Sequence, residues 1–424
     1  MTVLLGCIAD DFTGGTDLSE VLVKNGMRTV QILGIPDYEL LLKMKENTDA
    51  FVVSLKIRTV PPQEAVSQAL AALAVLQEVG CTQYFWKYCS TFDSTSKGNI
   101  GPVADALQDA LETKSSIVCP AFPENGRTIY QGHLFVYDKL LHNTHMRHHP
   151  LTPMGESNVK ELLQKQTSRP CGLLPLQNIR KGLESVKEHW GDLIKNGISH
   201  VIADTVISED LYLLGELCAD HKLITGGSGI ARGLPSNYRK KGLLKEKKES
   251  PLFEGKGVGI VLAGSCSAVT LDQIQSFLAV YPGFMIEPMK LISDQAHYKE
   301  AVKFAQDCLM RGEPCLIYSS AQPDQITQIQ KSLGREYAGK IVESAFSNIA
   351  LEMAEKGVRR FIIAGGETAG AVMSAFDIRA IKIGKSIAPG VPWVATLEEN
   401  PLFFALKSGN FGAPDFFLTA LGLK

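Results

Sequence analysis

Val3-Leu4-Leu5-Gly6-Cys7-Ile8-Ala9-Asp10-Asp11-Phe12-Thr13-Gly14-Gly15-Thr16-Asp17 is the stretch whose reading decides the fold. An apolar run from Val3 to Ala9 ends in two aspartates and a Thr-Gly-Gly turn. Asp17, Leu18, Val21 and Leu22 then begin a helical pattern that stops at Gly26. A short, wholly apolar run of this kind reads as a strand buried on both faces, which belongs to a parallel sheet. In such sheets ligands bind at the carboxyl ends of the strands, which makes Asp10 and Asp11 candidate site residues. Gly14 and Gly15 admit close approach, and the free amides of a helix start suit an anion. One aspartate here could simply cap the helix, but two in succession ask for more than a cap.

Outward from this stretch, strand and helix alternate. Arg28 to Leu33 reads as a strand, and so does Ala50 to Leu55, which leads into Lys56-Ile57-Arg58-Thr59. Pro61 and Pro62 open a helix with apolar positions at Val66, Leu70, Leu73 and Leu76, closed by Gly80. Gln83 to Tyr88 is an aromatic, β-prone strand that runs into Cys89-Ser90-Thr91-Phe92-Asp93-Ser94-Thr95-Ser96-Lys97-Gly98-Asn99. Ser116 to Cys119, His200 to Ala203 and Leu223 to Thr225 complete the set, the first ending near Arg127 and the last in Gly226-Gly227-Ser228-Gly229. The alternation predicts an α/β protein whose N-terminal domain is a doubly wound, mainly parallel sheet. Between Tyr130 and Pro153 the periodicity fails. His142, His145, His148 and His149 gather there without the spacing of a helical metal motif, so an ordered surface or lid segment is expected.

From Asn237 to Gly257 basic residues crowd a Gly- and Pro-punctuated stretch: Arg239, Lys240, Lys241, Lys245, Lys247 and Lys248, with Glu246, Glu249 and Glu254 interleaved. This reads as a solvated linker. The expected organisation is a first domain at 1–236, a linker at 237–257 and a second α/β domain at 258–424.

The second domain opens with a strand, Val258 to Ala263, that ends in Gly264-Ser265-Cys266-Ser267, and a helix from Thr270 to Ala279 follows. Pro314 to Tyr318 is a strand before Ser319 and Ser320. A helix from about Ile341 to Lys356 precedes the strand Arg360 to Ala364, which breaks into Gly365-Gly366-Glu367-Thr368-Ala369-Gly370. Ser408-Gly409-Asn410-Phe411-Gly412 adds a third flexible turn. Strand-to-helix turns rich in glycine can face phosphate with their amides. Neither a GxxxxGK[ST] loop nor a GxGxxG after the first strand is present, which speaks against a Walker ATPase and a dinucleotide enzyme.

In the first domain Asp10, Asp11 and Asp93 are carboxylates at strand ends, and Arg58, Lys87, Lys97 and Arg127 are cations at or just past them. Such cations hold a carboxylate, with arginine able to do so in a fork, while carboxylates hold hydroxyls or take a proton from one. The net charge of −2 excludes the basic field that nucleic acid requires. No apolar run spans a bilayer, and no charged segment precedes the first strand, so a cytoplasmic protein is expected. The 9 cysteines form no CxxC pair and are expected as reduced, mostly buried thiols.

Six motifs occur in order: Ile8 to Gly14, Phe92 to Gly101, Thr225 to Gly229, Gly264 to Ser267, Gly365 to Gly370 and Ser408 to Gly412. Together they resemble the four-carbon acid sugar kinase family over nearly the whole chain. Phe85 to Gly101, Pro123 to Phe135 and His148 to Met154 point to its branch acting on 3-oxo acids. Gly14-Gly15 departs from the family's more usual Gly-Ala, with no change of chemistry expected, and the basic linker is longer and more charged than expected. The resemblance implies that 1–236 is an acid-sugar substrate-binding domain and 258–424 an α/β nucleotide-binding domain, with ATP as phosphoryl donor, Mg²⁺, and the terminal hydroxyl of a C4 sugar acid as acceptor. It implies acid-sugar contacts at Asp11, Arg58 and Lys87-Tyr88-Cys89-Ser90, beside Asp10 and Arg127. It implies nucleotide contacts at Ser265, Gly365, Gly366, Glu367, Thr368 and Gly409. Asp11, then Asp93, is expected to take the hydroxyl proton, and the metal ligands stay open. The partners are then the sugar acid and ATP, with no nucleic acid or membrane and with a homodimer left open. D-threonate and D-erythronate are the alternative acids. An NAD(P)-dependent dehydrogenase and a sugar-acid sensor without turnover are the readings from other classes.

Overall fold

A computed structural model of the chain describes residues 3–148, 152–245, 255, 257–319, 335–409 and 411–423. The chain divides into two compact units, Met1–Ser250 and Pro251–Lys424.

The first unit is built on eight parallel strands: β1 (Val3–Ala9), β2 (Thr29–Leu33), β3 (Ala50–Ser54), β4 (Cys81–Lys87), β5 (Ser116–Cys119), and further along the chain the strands Cys171–Leu174, His200–Ala203 and Leu223–Gly226. Between β5 and the last three lie β6 (Arg127–Tyr130), β7 (His133–Val136) and β8 (Lys139–Leu140), which form a separate antiparallel sheet. Counting these, the last three are β9, β10 and β11, and the spatial order is β2-β3-β1-β4-β11-β5-β10-β9. Every residue of β1 is buried, as its unbroken apolar sequence requires. Phe51, Phe85 and Trp86 of the flanking strands are among the largest fully buried side chains. In register, Ala9 sits opposite Ser54 on one side and Lys87 on the other, and Lys87 opposite Gly226, so β3, β1, β4 and β11 end level.

The segment after Tyr130, expected as an ordered surface or lid segment, is the β6–β7–β8 meander followed by the 3-10 turns Leu141–Asn143 and His145–His148. Gln131 and Gly132 both take positive φ, 50° and 76°, and this two-residue turn matches the twist of the paired strands. Strands of four, four and two residues are too short to show an alternation. Among the described residues no group of three His, Cys, Asp or Glu side chains could hold a metal ion, and His149 lies outside them.

The linker expected from Asn237 is, at its start, part of the first unit. Leu234–Lys240 is a helix whose Asn237 donates to the Gly215 carbonyl at 2.7 Å and whose Tyr238 hydroxyl donates to Gln83 at 2.6 Å. Lys240 and Lys241 pair with Glu216 and Asp220. Lys247, Lys248 and the acidic residues among them lie outside the described residues.

The second unit has β12 (Gly259–Ala263), β13 (Gly283–Met285), β14 (Cys315–Tyr318), β15 (Arg360–Ala364), β16 (Ala380–Ala388), β17 (Val391–Ala395) and β18 (Phe403–Lys407). The order is β13-β14-β12-β15-β18-β17-β16; the first five are parallel, and β17 and β16 are antiparallel additions. Ala263, Ala364 and Lys407 are register partners in turn, so β12, β15 and β18 also end level. The core gathers Phe277, Trp393, Phe416 and Phe417 around the centre of this sheet. Among the described residues all nine cysteines are free thiols, seven of them buried, and no helix is long and apolar enough to cross a membrane.

Candidate active site

In the first unit, four adjacent strand ends carry the polar residues. β1 delivers Asp10 and Asp11, the loop after β3 delivers Arg58, β4 ends on Lys87, and β11 leads to Ser228. Asp11 caps the helix Phe12–Lys24, its Oδ1 accepting the Gly14 amide at 2.7 Å while Oδ2 accepts the Thr13 hydroxyl at 3.2 Å. Arg58 binds Asp10 through a fork, Nε to Oδ2 and Nη2 to Oδ1, both at 2.8 Å, and its Nη1 reaches Asp11 at 2.9 Å. Bidentate, charge-assisted pairs of this kind are the strong ones. Asp10 is buried, and both of its carboxylate oxygens accept from Arg58, so it orients the guanidinium. Three donor bonds leave two of the five guanidinium N–H groups for another acceptor.

Gly14 explains why the turn needs a glycine. A Cβ there would stand 2.4 Å from Asp11 Oδ1, 3.0 Å from Lys87 Nζ and 3.6 Å from Arg58 Nη2. The charged ends of all three therefore meet in the space a side chain would fill. Lys87 is buried, and its ammonium donates to the Tyr88 carbonyl at 3.0 Å. Burial opposes charge on Asp11, yet Arg58 and Lys87, with the Gly14 amide and the Thr13 hydroxyl, hold its carboxyl below the usual carboxylate range. Arg58 is likewise desolvated, but Asp10 and Asp11 keep it firmly charged. Asn99, at the start of the helix Ile100–Ala110, donates to the carbonyls of Ile57 and Val60 at 2.6 and 3.1 Å and so fixes the loop that presents Arg58.

The other expected residues divide. Tyr88 is fully buried with its hydroxyl on Thr225 at 3.0 Å, so its ring is part of the interior. Cys89 is half-buried beside Thr91 at 3.0 Å, and burial with the nearby Asp93 pushes its thiol up to about 12. Thr91 also donates to Asp93 at 2.5 Å, and Ser90 is half-buried. Lys97 is exposed in the following turn. Arg127 lies apart on β6, donating to the Asn125 carbonyl and covering the Tyr137 ring at 5.7 Å; no contact among the described residues joins it to the aspartates. Asp17, not singled out from sequence, belongs to the group. It accepts a hydrogen bond from Ser228, and burial raises its carboxyl against the attraction of Lys87. Its signal was helical spacing, three residues beyond Gly14.

The second unit repeats the arrangement with neutral groups. The turns after β12, β15 and β18 touch one another. The amides of Gly264 and Ser265 donate to the Ala364 carbonyl at 2.9 and 3.0 Å, and Gly365 N donates to the Lys407 carbonyl at 2.8 Å. A Cβ on Gly264 would meet the Thr368 hydroxyl at 2.3 Å, and one on Gly409 would meet the Ser265 hydroxyl at 2.6 Å. Gly365 holds φ 128°, which sharpens the turn into the helix Gly366–Ala375. Gly366 is different: exposed at the helix start, its missing side chain faces open space. Free amides beside an open volume at a helix N-terminus suit an anion. Lys407, the last residue of β18, is a buried lysine that sequence reading passed over, because it sits one residue outside the glycine-rich turn.

Two family models match, a sugar-binding N-terminal domain at residues 5–234 and a nucleotide-binding C-terminal domain at residues 260–417. A 3-oxo-tetronate kinase of Cupriavidus necator is 50% identical over 99% of this chain and 96% of its own. A 3-oxo-tetronate kinase of Haemophilus influenzae is 41% identical over 99% of this chain and 100% of its own. A crystal structure from Salmonella typhimurium LT2, described as that of a candidate tRNA synthase, matches with TM-score 0.87 at 40% identity, covering 99% of both chains. The chain therefore belongs to the four-carbon acid sugar kinase family, whose members join a sugar-binding N-terminal domain to a nucleotide-binding C-terminal domain.

Proposed function

We propose that the chain is an ATP-dependent kinase that phosphorylates the 4-hydroxyl of 3-oxo-tetronate. The observation that carries this reading is the meeting of Asp11, Lys87 and Arg58 over Gly14, at the ends of adjacent parallel strands. A small acid needs cations for its carboxylate and carboxylates for its hydroxyls, and this cluster offers both at contact distance. Arg58 and Lys87 hold the substrate carboxylate. Asp11, kept ionised by those same cations, receives the hydroxyl proton, with Asp93 as the second carboxylate. Ser265, Gly365, Gly366, Thr368 and Gly409 form the phosphate cradle.

Phosphoryl transfer draws on positioning and charge neutralisation more than on covalent help. The cradle fits a nucleotide at the start of the helix Gly366–Ala375, where a side chain on Gly366 would meet no protein atom within 4 Å. Mg²⁺ neutralises the phosphates when bound, and it keeps several waters rather than a full protein cage. Glu367, exposed in the first turn beside Gly366, would repel phosphate unless a cation lay between them, so it is the carboxylate assigned to the metal. The net charge of −2 lends no support to reading the chain as a tRNA enzyme.

Phosphorus NMR of the product tests the proposal. ATP, Mg²⁺ and 3-oxo-tetronate should yield ADP and one phosphomonoester coupled to the C4 protons. ATP left intact, or ATP hydrolysed to free phosphate regardless of the acid, would refute it.

A further inference from the structure

Lys407 has no exposed surface, an unusual state for lysine. Its ammonium donates to the Thr270 hydroxyl at 3.1 Å, the Ser408 carbonyl at 3.1 Å and the Gly409 carbonyl at 2.9 Å. Three acceptors use all three N–H bonds of an ammonium. None of them is charged, and no carboxylate among the described residues pairs with it. Its own carbonyl meanwhile receives the Gly365 amide at 2.8 Å. Thr270 and Ser267, from the segment after β12, also donate to the Gly409 carbonyl, at 3.0 and 2.7 Å. One residue thus ties together the turns after β12, β15 and β18.

Peptide geometry then fixes which way the turn points. The described peptide bonds are trans, and a trans peptide aims its N–H opposite to its C=O. With the Ser408 carbonyl drawn onto Nζ, the Gly409 N–H points away from the Lys407 ammonium.

We infer that Lys407 is the positioning residue of the nucleotide site: its ammonium sets the Ser408–Gly409 turn so that its amide meets phosphate, and the phosphates supply the counter-charge that the protein withholds. This rests on the kinase reading. It follows that the nucleotide favours the charged lysine. Burial alone lowers the ammonium's pKa to about 7, so near pH 8 the free enzyme holds it mostly neutral and nucleotide binding must draw in a proton. Arginine cannot lose its proton and shows no such uptake.

The experiment is calorimetric titration of ATP·Mg²⁺ into the full chain at pH 8, in buffers of different ionisation enthalpy, for wild type, Lys407→Arg and Lys407→Met. Titration of the sugar acid serves as the control for folding. Wild type should take up part of a proton and Lys407→Arg none. Lys407→Met should lose about 10- to 100-fold in ATP affinity, the worth of a charge-assisted bond, with acid affinity unchanged. A wild type that binds ATP without proton uptake overturns the inference, and it does so even if neither variant folds. A folded Lys407→Met with wild-type ATP affinity also overturns it. A wild type that binds no nucleotide would instead strike the kinase reading itself.

Discussion

At the scale of single residues, Arg58 shows how a site residue can be found and its partners missed. Its place just past β3 was legible, and so was its charge. What could not be read was that Asp10, 48 residues away in sequence, takes two of its donors and holds the fork in place. Arg58→Lys keeps the charge and loses the fork, so both the Asp10 pairing and substrate binding suffer. We expect kcat/KM for the acid to fall about 10- to 150-fold, equivalent to about 1.5–3 kcal/mol. Steady-state kinetics indistinguishable from wild type would remove Arg58 from the site. Asp11 carries two duties that one substitution separates. Asn caps a helix as well as Asp, so Asp11→Asn should fold, but it cannot accept a proton. The kcat should drop about 10²- to 10⁴-fold. A folded variant keeping more than about a tenth of wild-type kcat would pass the role to Asp93. Stability adds an independent readout. The folded pKa of Asp11 is depressed, so its contribution is present above the ordinary carboxylate pKa and is lost as pH falls through the lowered value. The melting-temperature gap between wild type and Asp11→Asn should be open at pH 7 and close in strong acid.

At the scale of elements, most of the parallel strands were legible because they carry unbroken apolar runs, Val3–Ala9 in β1, 50–53 in β3 and 361–364 in β15, that end abruptly in polar residues or glycines. The parallel strands β9, β13 and β18, the β6–β8 meander and the antiparallel pair β16–β17 were not. Most of these strands are short or half-exposed, β17 carries a proline at Pro392, and Gln131 occupies a turn position where Asn or Gly would have announced a hairpin. Gly15 illustrates packing that no sequence pattern shows. Beneath it Thr16 donates to Gln31 at 2.9 Å, and Gln31 donates to Ser54 at 2.9 Å. A Cβ on Gly15 would lie 1.8 Å from the Ser54 hydroxyl, so the alanine more usual in the family has no room in this chain. Gly15→Ala should cost about 1–3 kcal/mol of stability by overpacking while leaving the KM for both substrates within about twofold. Denaturant unfolding beside kinetics checks both halves; an unchanged midpoint would mean that Ser54 simply turns aside. Gly366 gives the mirror-image case. Its Cβ would meet no protein atom, so Gly366→Val should melt like wild type, yet it should raise the ATP KM about tenfold or more by filling the phosphate space. Unaltered ATP affinity in that variant would place the nucleotide elsewhere.

At the scale of the whole molecule, the two units apply one plan with different side chains. Each is a parallel sheet whose adjacent strands end level, and each closes on a strand-terminal lysine bonded to the next carbonyl, Lys87 to Tyr88 and Lys407 to Ser408. The first surrounds its lysine with aspartates and an arginine, suited to an acid bearing hydroxyls. The second surrounds its lysine with glycine, serine and threonine, suited to phosphates. Coupling between two binding free energies is reciprocal, so if the acid tightens ATP, ATP must tighten the acid by the same factor. The choice among four-carbon acids turns on one carbon, C3, a finer distinction than strand-end motifs encode. The measurement that bears on it most directly is acid-dependent ADP release with Mg²⁺ present, compared as kcat/KM across 3-oxo-tetronate, D-threonate and D-erythronate. Release should require the acid and favour the 3-oxo compound by about tenfold or more, the worth of one well-made contact. Preference for either 3-hydroxy acid, or release that ignores all three, would contradict a 3-oxo-tetronate kinase.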